Sequence, residues 1–98
     1  MSYADEVQKA RRLAILLALY FSPGYTASLP MLRARIDAVG YVASLDLVQT
    51  ETAWLAEQGL VCLLADDAGA RLTARGEDIA LGRSQSPGVR RPSPGEAT

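Results

Sequence analysis

Residues 44–82 read SLDLVQTETAWLAEQGLVCLLADDAGARLTARGEDIALG, and four local signals follow one another along them. A helix is expected to begin near Ser44, with Asp46 in the first turn where a carboxylate opposes the positive end of the helix dipole. Leu45, Val48, Thr52 and Leu55 then recur at helical spacing until Gly59 closes the segment. Leu60 to Leu64 is an apolar run of strand length, Asp66-Asp67-Ala68-Gly69 is turn chemistry, and Ala70-Arg71-Leu72 is a short return strand. Thr73 caps a last helix that holds Glu77, Asp78, Ile79, Ala80 and Leu81 and ends near Gly82. The stretch predicts a helix, a small hairpin and a helix.

Two further helices precede it. Ser2 caps the first, with Asp5 and Glu6 in its opening turn. Val7, Ala10, Ala14, Leu17 and Phe21 form one apolar stripe, and Leu13, Leu16 and Tyr20 form a second beside it. A helix apolar over so much of its circumference is central to the domain or part of a subunit interface. Ser22-Pro23-Gly24 stops it. The second helix begins near Ser28, tolerates Pro30 in its first turn, places Leu29, Leu32, Ile36 and Val39 on one face, and ends at Gly40. From Ser84 onward, Pro87, Gly88, Pro92, Pro94 and Gly95 occur among serines and arginines with almost no apolar anchor, so residues 84–98 are expected to be a disordered tail on a domain spanning 1–83.

The composition narrows the chemistry. Among 98 residues there is one cysteine, Cys62, and no histidine, so intrachain disulfides, zinc ligand sets and histidine acid–base catalysis are excluded together. Cys62 lies in an apolar run and is expected to be a buried structural thiol. There is no glycine-rich phosphate loop and no paired carboxylates in an apolar setting, so neither catalysis nor a cofactor or metal is expected. The apolar run Leu13 to Phe21 is too short to span a bilayer and lacks a signal cleavage site, which predicts a soluble, cytoplasmic protein with no membrane partner. The formal charge is −1, and without Arg90, Arg91 and Glu96 the remaining chain holds eight cations against ten anions. That balance counts against nucleic acid, whose binders usually carry a basic stripe.

Helix, helix, turn, helix, hairpin, helix (α1-α2-α3-β-β-α4) is the order of a mainly α winged helix-turn-helix, and the local wording is similar as well. Residues 54–61, WLAEQGLV, resemble the end of the recognition helix and start of the wing in regulators of the ArsR, MarR and PadR kind. Residues 72–80, LTARGEDIA, resemble the exit from the wing into the last helix. The likeness covers residues 4–82, and the whole chain also resembles small winged-helix proteins of Mu-like prophages. The resemblance implies a phage-encoded DNA-binding transcriptional regulator, in which the third helix enters the major groove and the wing touches the backbone.

On that reading the third helix turns Asp46, Gln49, Thr50 and Ala53 outward, with Gln49 toward adenine and Thr50 toward a phosphate or thymine methyl. Arg33, Arg35 and Arg71 are the cations available for the phosphates of duplex DNA, while Arg11 and Arg12 mark the polar side of the first helix. Leu13, Leu16, Tyr20 and Trp54 are the expected homodimer interface. Against this, the helix from Ser44 to Gln58 has no lysine or arginine and carries Asp46, Glu51 and Glu57. Its field repels a phosphate backbone, which supports an alternative in which the same scaffold serves as a protein-interaction module without DNA binding.

Overall fold

A computed structural model describes residues 2–97. Four helices and three short strands follow in the order α1 (Tyr3–Tyr20), β1 (Thr26–Ser28), α2 (Leu29–Ala38), α3 (Leu45–Glu57), β2 (Val61–Leu63), β3 (Gly69–Leu72) and α4 (Ala74–Ala80). Each helix begins where an oxygen-bearing side chain supplies an acceptor for an orphan backbone N–H. Ser2 accepts from the Asp5 amide, Ser28 from Met31, Ser44 from Leu47 and Thr73 from Gly76. The caps at Ser2 and Thr73 fall on the residues the sequence nominates, and α2 and α3 start at the serines near which it places them.

Between α3 and β2 the chain reverses at Gly59, whose φ of 77° lies in the left-handed region that a side chain disfavours. Thr73 then closes the hairpin where it leaves the sheet. Its hydroxyl donates to the Gly59 carbonyl at 2.8 Å and its amide donates to the Leu60 carbonyl at 3.1 Å. At the tip, Asp66 and Asp67 both adopt positive φ, which aspartate tolerates better than most residues.

The sheet has one strand more than the hairpin predicted from the sequence. β1 pairs antiparallel with β3 in the register Thr26↔Arg71, Ala27↔Ala70 and Ser28↔Gly69, giving the order β1-β3-β2. Three small or polar residues make a weak strand signal, and Ser28 also serves as the cap of α2. The sheet covers the core with one face only. Along β3, Ala70 and Leu72 point inward and Arg71 points out; its neighbour across the ladder, Cys62, is exposed rather than buried as expected. The period of two along a half-covered strand overrides the apolar neighbours of Cys62.

α1 is the central helix. It packs against α2, α4 and the underside of β3, and Leu13, Ile15, Leu16 and Leu19 are fully buried. Leu32 and Ile36 from α2, Val48 and Leu55 from α3, and Leu60, Ala70, Ile79 and Ala80 complete the interior. The second apolar stripe of α1 is thus consumed within one chain. Leu13 and Leu16 have no exposed surface to offer a second subunit, which removes them from the expected dimer interface.

Two further expectations are corrected. Arg12 is not on a polar side: it is 8% exposed, and its Nε donates to Oε1 of Glu51 at 3.1 Å. Arg11 donates to the other carboxylate oxygen of Glu51 at 3.0 Å. The pair brings α1 and α3 together through a carboxylate that is itself 2% exposed. Nor is the stretch after Ser84 detached. Val89 is buried in the core, the Arg90 amide donates to the Lys9 carbonyl at 3.2 Å, and Arg12 donates to the Gly88 carbonyl at 3.2 Å. A buried valine, one backbone hydrogen bond and arginine bonds to the Gly88 and Gly82 carbonyls anchor a segment whose composition reads as unanchored.

Replacing Glu51 by Ala leaves two guanidinium groups against the interior without their carboxylate, and removing one partner of a buried pair costs about 3–5 kcal/mol. The urea midpoint of Glu51→Ala is expected to fall accordingly, and an unchanged midpoint would show that the pair does not hold α1 to α3.

Candidate functional site

The most exposed apolar side chains outside the termini of the fold gather on two surfaces. One is built by the first turns of α2 and α3 together with the β2–β3 hairpin. Ser28 and Ser44 set the starts of the two helices, and Leu45, 39% exposed, stands at the N-terminal end of α3. Leu63, 44% exposed, projects from the end of β2. A small cleft of about 60 Å³ between α3 and the hairpin is lined by Gln49, Ala53, Leu63 and Asp67. A larger one of about 490 Å³, between α2 and the start of α3, is lined by Arg33, Asp37, Val42 and Leu45.

The charge of this surface is predominantly negative. Asp46 is exposed in the first turn of α3, Asp66 and Asp67 are exposed at the hairpin tip, and Asp37 shares a cleft with Arg33. α3 itself contains no lysine or arginine. Glu51 does not add to this field, because it is buried between Arg11 and Arg12 on the far side of the helix.

The residues expected to touch DNA do not form one set. Arg33 lines the cleft beside α3, but Arg35, two residues on and therefore on the other side of α2, lines a separate groove with Leu17 and Phe21 of α1. Arg71 stands on the outer face of the sheet between Thr26 and Cys62. Asp46, Gln49, Thr50 and Ala53 do share the outward side of α3, with Gln49 and Ala53 half-buried by the hairpin cleft. The Thr50 hydroxyl donates back to the Asp46 carbonyl at 3.0 Å, so its only proton is spent within the helix.

Of the residues expected at a dimer interface, Tyr20 is half-buried in an aromatic group with Phe21, at 5.0 Å between ring centroids, and Tyr25, at 6.2 Å. Trp54 is half-buried on the back of α3. The Arg12 guanidinium carbon sits 3.7 Å from its ring centroid, and the Gly88 backbone lies against the ring. This cation–π contact and the Glu51 pair escaped the sequence reading, although Arg12 precedes Ile15, Leu16 and Leu19 by three, four and seven residues and so shares their face.

Comparison with known proteins places the chain. It is 39% identical over 92 residues to the uncharacterised protein gp26 of Escherichia phage Mu, an alignment covering 92% of this chain and 95% of the Mu protein. The chain belongs to the family of phage Mu gp26. An uncharacterised protein of Haemophilus influenzae is 35% identical over 63 residues, covering 64% of this chain and 61% of that protein. No family model and no solved structure matches the gp26-like chain. Among the described residues no helix is long and apolar enough to cross a membrane, and no group of three or more metal-ligating side chains converges.

A methyl group at Gly88 would overlap the Trp54 ring and crowd the Arg12 guanidinium. Gly88→Val is expected to lift residues 84–97 from α1 and α3, at an overpacking cost of about 1–3 kcal/mol. The emission of Trp54, the sole tryptophan, should shift to the red, and trypsin should cut after Arg90 faster than in the parent. Unaltered emission and cleavage would separate the tail from the ring.

Proposed function

We propose that this chain is a phage protein-interaction module built on a winged-helix scaffold, and that it grips a basic protein segment where related scaffolds meet DNA. The scaffold assignment rests on the order α1-β1-α2-α3-β2-β3-α4 with the sheet order β1-β3-β2, which matches a winged helix-turn-helix with β2 and β3 as the wing. The phage setting follows from the family of phage Mu gp26.

One observation carries the choice of partner: the surface formed by α3, the start of α2 and the hairpin tip combines Asp46, Asp66 and Asp67 with exposed Leu45 and Leu63, and has Arg33 as its cation. Phosphate contacts from lysine and arginine supply most of the nonspecific affinity of a DNA-binding protein. Here three carboxylates and apolar side chains stand against one arginine, so a duplex meets net repulsion where it needs counterion release. A polypeptide with cations around an apolar side chain meets the complementary arrangement. Apolar anchors in desolvated pockets with charge around the rim are what protein interfaces use.

Two titrations test this. The full chain is expected to show no saturable binding to mixed 30-base-pair duplex DNA at 50 mM salt. It should bind a cationic, leucine-bearing helical peptide, and Leu63→Ser with Asp67→Asn should weaken that binding about tenfold. DNA binding that declines steeply between 50 and 200 mM salt would overturn the proposal in favour of a regulator.

A further inference from the structure

Away from that surface, a groove of about 340 Å³ runs between the C-terminal half of α1 and the end of α2. Ala14, Leu17 and Ala18 form its floor, since residues three and four apart share one side of a helix, and the two alanines leave the depression open. Phe21 and Val39 form its walls and remain 51% and 65% exposed, unusually so for side chains of their size. The polar lining comes from two charged residues, Arg35 and Glu96, together with the hydroxyl of Tyr41.

Arg35 and Glu96 do not serve each other. Both carboxylate oxygens of Glu96 are engaged, one by Arg90 at 2.7 Å and the other by the Ser93 amide at 2.7 Å. Among the described residues Arg35 makes no salt bridge, and its Nε is buried without a hydrogen-bond acceptor. A guanidinium cannot shed its proton, so a permanent cation without a carboxylate partner lies along an apolar groove.

The geometry points to a binding site for a small apolar monocarboxylate, an alkyl or aryl acid about the size of octanoate, whose carboxylate takes the Arg35 guanidinium end-on. A carboxylate accepts from the two terminal Nη groups in parallel, a bidentate arrangement that the planar guanidinium offers. A phosphate dianion fits less well, because Arg35 is the single cation of the groove and leaves the second charge and third oxygen unserved beside Glu96. The hydrocarbon body lies over Ala14, Leu17 and Ala18 between Phe21 and Val39. The volume falls at the lower end of the range for small-molecule pockets, about 300–1,000 Å³. This site is independent of the interaction surface, from which it is separated by the thickness of α2.

The experiment is a titration of the isotopically labelled full chain with octanoate, and separately with 1-octanol, followed by amide chemical shifts. Octanoate is expected to bind saturably, with shifts confined to α1 and the end of α2, at least tenfold more tightly than octanol. Arg35→Gln should abolish the preference for the acid while retaining the dispersed amide spectrum of the parent. Equal affinity for acid and alcohol in the parent protein would overturn the proposal without recourse to any variant. So would shifts scattered over the surface, or a folded Arg35→Gln protein that still prefers octanoate.

Discussion

Glu51 sits on the inner side of α3 with its carboxylate 2% exposed, and the two guanidinium groups that hold it come from consecutive residues of α1. A carboxylate so placed is tolerable only while both its oxygens are engaged, because desolvation otherwise favours its return to water. The requirement fixes more than one contact. It sets the rotation of α3 about its own axis and draws Arg12 across the face of Trp54. It also leaves one Arg12 nitrogen directed at the Gly88 carbonyl. Two helices and the C-terminal segment are therefore positioned by one anion, and the apolar core fills in around that arrangement.

The opposite side of α3 inherits this rigidity. With Glu51, Thr52 and Leu55 buried, the helix has no freedom to roll, and Asp46, Gln49, Thr50 and Ala53 keep a fixed aspect. The hairpin is held to the same helix by Thr73, which bonds the carbonyl of Gly59 and caps α4 with one hydroxyl. A surface mounted on elements tied at both ends loses little conformational entropy when a partner settles on it. The acidic and apolar character of that surface is a property of side chains alone. The scaffold by itself is neutral about whether nucleic acid or protein meets it.

Much of the framework is written locally. Ser2, Ser28, Ser44 and Thr73 stand at the four helix starts because each supplies an acceptor within its own turn, and such signals need no knowledge of the rest of the chain. What was not legible depends on partners far away in sequence. Arg11 and Arg12 look like a solvated run until Glu51, forty and thirty-nine residues on, is brought alongside. The double apolar stripe of α1 suggests a second subunit until β3, α4 and Val89 are seen to cover it. Arg33 and Arg35 look like one phosphate-binding pair, yet a helical turn sends them into different clefts. β1 is hidden because its three residues belong as much to the cap of α2 as to a sheet.

The strand order β1-β3-β2 leaves two edges, and both are brief. β1 ends after three residues by passing directly into α2, where Pro30 lies in the first turn, and β2 ends after three at a turn that carries two aspartates. A strand from another molecule would find three residues to pair with before meeting a helix on one edge or negative charge on the other. Edge strands of ordinary length are templates for runaway self-association, and shortness and charge are the usual defences. The sheet is built to be finite: it can close the hairpin against the core, but it offers no ladder along which copies of the chain could polymerise.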